Sequence, residues 1–368
     1  MKICNLFLRK TLFLFLLISF SFFPQNKDND AENNIDSTNG KSSIEPLPIL
    51  SYDTDAGFGF GGKAFFFNQV LKNESFDVIL FMSTKGERWF RFVFSYPDFE
   101  YRQGSIYPFA LDLTVDYDVW IKNGFYGWNG FSPPEKEFYR KGIFETSLLS
   151  SFGLTKQFVL QCGLGYKHYA LSNFEKEKTL YNIFAQNEKH SYTLPFLTAS
   201  GRYDSRNSFV NPTKGFQTLL NFEYGISSIK YNKSAAEIMY YLPLQNEKIV
   251  SAFHFAFKDC KTDSLNFLLL PSLGGNNTLR GYPQDRFINT TAAYCNAELR
   301  FRLYNRLGGI AGLDFGKTWN EITKISFTNW VYSPVIGLRY YMDNFIVRMD
   351  FAISKEISGF YLNFGHIF

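Results

Sequence analysis

Between residues 46 and 368 apolar and polar side chains alternate with a period of two, and no stripe at helical spacing persists. Leu160, Cys162, Leu164 and Tyr166 alternate with Gln161, Gly163, Gly165 and Lys167. Cys295, Ala297, Leu299, Phe301 and Leu303 alternate with Asn296, Glu298, Arg300 and Arg302, and Phe345, Val347, Met349, Phe351 and Ile353 face away from Arg348 and Asp350. The pattern predicts strands at 57–69, 75–84 and 88–97, with one or two more between 105 and 127. Further strands follow at 139–152, 156–170, 191–204, 215–227, 235–243, 248–259, 291–304, 308–319, 331–342, 345–354 and 359–368, about sixteen in all, since even numbers are the bacterial rule. Short connections such as 305–306 and 343–344 alternate with long ones such as 171–190 and 260–290, the rhythm of periplasmic turns and outer loops.

Two architectures produce such alternation. A soluble sandwich or barrel buries the apolar face, whereas a transmembrane barrel turns it to lipid and lines a wet lumen with charge. Aromatics reach 19% of the chain, with 43 Phe and 23 Tyr, while 20% of residues are charged. The polar faces are rich in Gly, Arg, Asp and Glu, and aromatics gather near strand ends. The basic start MKICNLFLRK and the apolar run 11–23 read as an export signal, residues 1–23, too short to span a bilayer comfortably. Together these features favour the membrane barrel, because only a closed barrel satisfies strand backbones in lipid. Residues 24–45 are polar and without periodicity, a disordered lead-in, and 46–368 form the barrel domain.

Charge and cysteines narrow the function classes. Of 38 Lys and Arg, three (Lys2, Arg9 and Lys10) lie in residues 1–23, leaving 35 against 34 acidic residues and no basic cluster for nucleic acid. Cys162, Cys260 and Cys295 follow the signal in odd number and without a C-x-x-C pair, so neither a disulfide framework nor a zinc site is expected. No nucleophile elbow or zincin motif occurs, and His168, His190, His254 and His366 are scattered. The run GFGFGG at 57–62 lacks the lysine and helix of a phosphate loop. It reads as the first strand, Phe58 and Phe60 outward, meeting the final strand 359–368 at the closing seam. No catalytic residue, metal or cofactor is expected.

Several motifs resemble a known family in order and spacing. LGGNNTLRGYPQD (273–285) resembles the Gly-Gly…Arg-Gly-Phe/Tyr signature in the sixth outer loop of BamA/TamA-type outer-membrane assembly proteins, the bacterial surface antigen family. Its residues here are Gly274, Gly275, Arg280, Gly281 and Tyr282. GRYDSRNSFVNPTKGF (201–216) resembles the family's Asp-x-Arg…Pro-x-x-Gly periplasmic turn, through Asp204, Arg206, Pro212 and Gly215. AELRFRL, GLDFGKTW and VIGLRYY resemble the next three strands, and FYLNFGHIF (360–368) the closing one, with Phe364, Gly365 and Phe368 as a C-terminal assembly signal.

The resemblance implies a loop folded into the lumen, with Arg280 facing Glu298 and Asp314 and Tyr282 packed beside it. Alternation independently puts both carboxylates on polar strand faces. It further implies a weakly paired seam between first and last strands, residence in the bacterial outer-membrane bilayer, and insertion by the host barrel assembly machinery. Its activity would be to help unfolded outer-membrane or secreted client proteins insert into, or cross, that membrane. Only residues 24–45 stand where such proteins carry POTRA domains, so a barrel without them is expected. A passive structural barrel or a pore gated by its loop is the alternative.

Overall fold

The computed structural model describes residues 42–128, 135–185, 190–245, 248–262, 267–342 and 345–368. The expected signal at 1–23, and the lead-in through residue 41, lie outside them. The strands are β1 (Ser43–Asp53), β2 (Gly57–Phe67), β3 (Ser75–Ser83), β4 (Glu87–Tyr96), β5 (Tyr107–Phe125) and β6 (Glu137–Gly153). Next come β7 (Phe158–Ser172), β8 (Ser191–Asp204), β9 (Gly215–Ile226), β10 (Lys230–Leu244) and β11 (Ile249–Thr262). Two-residue strands β12 (Ser272–Leu273) and β13 (Phe287–Ile288) pair only with each other. The chain ends with β14 (Thr291–Tyr304), β15 (Leu307–Trp319), β16 (Val331–Tyr341), β17 (Ile346–Ile353) and β18 (Ser358–Phe364).

All but β12 and β13 join one closed antiparallel barrel of sixteen strands, each paired with its chain neighbours, and β1 closes on β18. No described helix is long and apolar enough to cross a membrane. The wall has inverted polarity. Phe58, Phe60, Leu220, Phe222, Phe253, Phe255, Leu299 and Ile336 are exposed on its outside, whereas Glu298, Arg300, Asp314, Arg339, Arg348 and Asp350 are buried within. That is the arrangement of a barrel whose solvent is lipid.

The first strand differs from the sequence reading. It is Ser43–Asp53 and not 57–69, so β2 pairs with β1 and β3 and never meets β18. The lead-in accordingly stops short of residue 45, and the barrel begins at Ser43. Pro46 and Pro48 conceal β1, because proline ordinarily demotes a strand. Here both lie within Ser43–Ser51, which has no partner on the β18 side, so their missing N–H groups break no ladder there. The ambiguous region 105–127 is a single long strand, β5, with irregular register at both ends. The closing strand also ends early: after Phe364, Gly365 adopts φ +79° and the chain turns away.

Candidate functional site

The connection between β11 and β14 returns into the barrel. Leu269, Leu273, Leu279 and Tyr282 along it are fully buried, and so is Arg280. The loop's tip is braced locally. Thr278 Oγ1 accepts from Gly274 N (2.8 Å) and donates to Gly274 O, while Gly275 N donates to Tyr282 O (2.9 Å). Asn296 Nδ2 on the wall donates to Thr278 O at 2.8 Å. Gly281 is required by space: at φ +85°, a Cβ there would stand 2.7 Å from Ser333 Oγ. Gly274 and Gly275 also have positive φ in the tight turn.

Arg280 meets three carboxylates. Its Nε and Nη2 grip Asp314 at 2.8 Å each, a two-point fork, and its backbone N donates to the same carboxylate at 3.1 Å. Nη1 donates to Glu298 Oε1 at 2.9 Å and to Asp350 Oδ2 at 2.7 Å. Asp350 was not among the partners implied by the motif. The signal was present, since Asp350 alternates with Met349 and Phe351, but it lies 70 residues from Arg280 and on a strand outside the matched motifs. Three more arginines complete the cluster. Arg300 holds Glu298 at 2.9 Å, Arg339 bonds Asp350, and Arg348 reaches Asn276 Oδ1 in the loop at 3.0 Å. Four cations therefore surround three anions, so each buried carboxylate has at least one cationic partner, as burial demands. Tyr282 packs elsewhere: its ring meets Phe287 and its hydroxyl donates to Tyr332 O.

The same loop touches both sides of the seam. Gly281 N donates to the Tyr361 hydroxyl of β18 at 2.9 Å, and Gln284 N donates to Asp55 in the β1–β2 turn at 2.7 Å. Arg286 pairs with Glu356 ahead of β18 at 2.6 Å. The seam itself has only two register pairs, Tyr52 with Leu362 and Asp53 with Tyr361, against seven between β17 and β18. Thr54 Oγ1 adds a short clip to Phe360, accepting from its N at 2.8 Å.

The other motif residues lie at the opposite end. Arg206 forks onto Asp204 at 3.0 and 2.8 Å, Gln217 joins the same carboxylate, Pro212 is buried, and Gly215 turns at φ +98° against Ser205 O. Phe364 ends β18 with its ring against Phe345. Beyond Gly365 the tail enters the interior, where His366 Nε2 lies 3.1 Å from Asn211 Oδ1. Phe368 is buried against Tyr241 and His254, with Arg300 over its ring and donating to its main-chain oxygen at 3.0 Å. Phe364 and Phe368 therefore do not share one strand face. At the outer mouth, Phe125, Tyr139, Phe174, Phe184 and Phe267 form an aromatic cluster. Glu137 supports it by accepting from Thr179 N and Leu180 N of the short helix Thr179–Ala185.

The Omp85 superfamily domain profile matches residues 72–368. The chain belongs to the Omp85 superfamily. Its barrel is similar to that of BamA from Haemophilus ducreyi lacking POTRA domains 1–3, at 14% identity over 88% of this chain and 70% of that one, with a TM-score of 0.65. It is also similar to CdiB from Acinetobacter baumannii (12% identity, 89% of this chain and 66% of that one, TM-score 0.53). CdiB from Escherichia coli gives 13% identity, 87% and 62% coverage, and a TM-score of 0.60. The chain thus spans about two thirds of the length of these relatives. No curated protein matches its sequence significantly. Omp85 barrels work within a membrane and on protein clients, inserting or translocating them.

Proposed function

We propose that this protein is a non-enzymatic barrel of the bacterial outer membrane that helps client proteins insert into or cross that membrane, using the β1–β18 seam as its working edge. The observation that carries this reading is the two-pair closure, which leaves Ser43–Ser51 without a partner on that side. An unpaired strand edge is a template for another strand. A client segment would add there by backbone hydrogen bonding, a mode that reads little sequence. The loop that carries Arg280 contacts β18 and the β1–β2 turn, so it supports the seam from inside while the edge is free.

The experiment is a lock. Tyr52 and Leu362 are register partners, at a separation that a disulfide can bridge, so Tyr52→Cys with Leu362→Cys closes the seam covalently. Cells carrying the oxidised lock as their sole copy should show a depleted set of other outer-membrane proteins, restored by reduction. An unchanged census with the seam locked would refute the working-edge reading.

A second reading, a pore gated by its loop, is favoured by the lumen being occupied through Arg280. The two readings separate by current. A gated pore conducts in planar bilayers once Arg280 is replaced, whatever the state of the seam.

A further inference from the structure

A second site lies on the outer wall, away from the seam. Around β4, β5 and β6 the two faces can be told apart by partners. Trp89 and Arg91 reach Asp116, and Lys141 reaches Asp285 of the loop in the lumen, so these residues point inward. Arg88, Phe90, Tyr117, Val119, Arg140 and Gly142, which alternate with them, face outward. Arg88 is cross-strand partner to Val119, and Val119 to Gly142, so these three form a row across the wall. Arg140 lies one pleat nearer the loop-bearing end.

That row is hollow. Gly142 has no side chain, and a Cβ there would make only ordinary contacts with Val119 and Ala170, at 3.8 and 3.9 Å. Beside the row lies a groove of about 260 Å³ lined by Arg88, Arg140, Val119, Ile121, Phe90 and Tyr117, with Met82 and Asn173 at its margin. Val119 is 2% exposed despite its outward position, because its neighbours enclose it. Both arginines are exposed. Among the described residues neither guanidinium has a hydrogen bond or an ion pair, unlike the inward-facing Arg280, Arg300 and Arg339.

A lipid-facing arginine is costly at mid-membrane and nearly free at the interface, so two of them fix this depth as the headgroup level. One pleat deeper, Phe90 and Tyr117 stack at 6.2 Å and 11°, the aromatic layer that borders the hydrocarbon. Guanidinium forks match phosphate oxygens in shape and charge. Strands β4 and β6 stand two strand widths apart, about 10 Å, so the arginines approach a headgroup from both sides. We propose that this groove binds a phosphorylated lipid of the leaflet on the loop-bearing side. Its phosphate would sit between Arg88 and Arg140, with an acyl chain running down over Phe90 and Tyr117.

The test uses the full barrel in nanodiscs of neutral lipid doped with diphosphoryl lipid A or with its dephosphorylated form. Lipid retained through detergent exchange is counted by native mass spectrometry. Wild type should retain the phosphorylated form about a hundredfold over the Arg88→Gln/Arg140→Gln variant, each lost charge-assisted bond contributing about a decade. The dephosphorylated lipid should be retained equally and weakly by both. Single Arg88→Gln and Arg140→Gln variants, intermediate in retention, serve if the double variant folds poorly. Equal retention of the phosphorylated lipid by wild type and variants would overturn the proposal. So would displacement by inorganic phosphate alone, which would mark a free-anion site.

Discussion

Arg280 couples loop and wall through three carboxylates at 2.7 to 2.9 Å, and among the described residues no other lumenal side chain offers them as many donors. Arg280→Ala should therefore destabilise the barrel by about 3–5 kcal/mol, since it strands buried charge. The measurement is the temperature at which heat-resistant gel migration is lost, and unchanged migration and protease resistance would refute the anchoring role. Arg280→Lys should rescue only part, because a point charge cannot grip Asp314 at two atoms. Gly281→Ala should cost about 1–3 kcal/mol in the same assay. Its new Cβ meets Ser333 Oγ, which is itself committed to Ile353 O at 2.9 Å.

Asp285, also in the loop, gives a pH signature. Burial pushes its carboxyl up, but Lys141 at 3.0 Å and Ser272 at 2.7 Å outweigh burial and hold it below its ordinary 3.8. Its folded value lies below its unfolded one, so its contribution is complete above about pH 4 and disappears as pH falls through the folded value. The stability gap between wild type and Asp285→Asn should be full at neutral pH and shrink in acid. Of the residues around Arg280, Glu298 and Asp314 are legible from motif and alternation. Asp350 is not, because alternation says which way a side chain points and not which distant strand arrives opposite it.

At the scale of elements, alternation locates most strands because each faces lipid on one side and water or charge on the other, and the period is two throughout. It fails where that contrast is absent or masked. In β1 the prolines conceal the strand, and a total of sixteen is reached from sequence only when two strands are counted in 105–127, where the structure has one, which offsets the missed β1. The last strand reads as running to residue 368 because Phe364 and Phe368 are both apolar. Only the positive φ at Gly365 shows that the tail leaves the ladder, and φ is not written in residue type alone. The one-sided pairing of β1 has a measurable outcome. Amides in Ser43–Ser51 should exchange with deuterium faster than those in Val347–Ala352, which are paired on both sides. Equal protection would mean that the seam is closed in solution.

For the whole molecule, the question is whether the lumen conducts. The loop, its charge cluster and the aromatic cluster at the outer mouth occupy the path, so wild type should show little steady current in planar bilayers. On the gated-pore reading, Arg280→Ala should raise the open probability or the conductance. An identical trace from both proteins would exclude gating by the loop and leave the seam as the site of activity. Membrane residence itself is legible in the sequence, since strands that carry charge on one face and large apolar side chains on the other suit a lipid-facing wall around a wet lumen. The groove at Arg88 is not, because a lipid-facing arginine and a lumenal one look alike until the register of three strands is known.

Glu298 has a position that none of its neighbours shares. Through Oε1 it holds Arg280, which comes from the loop-bearing rim, and through Oε2 it holds Arg300, which carries Phe368 of the tail from the opposite rim. One side chain thus ties together two inserts that enter the barrel from opposite rims. The tail and the loop are thus joined inside the barrel through one residue, and neither can shift without disturbing a bond to Glu298.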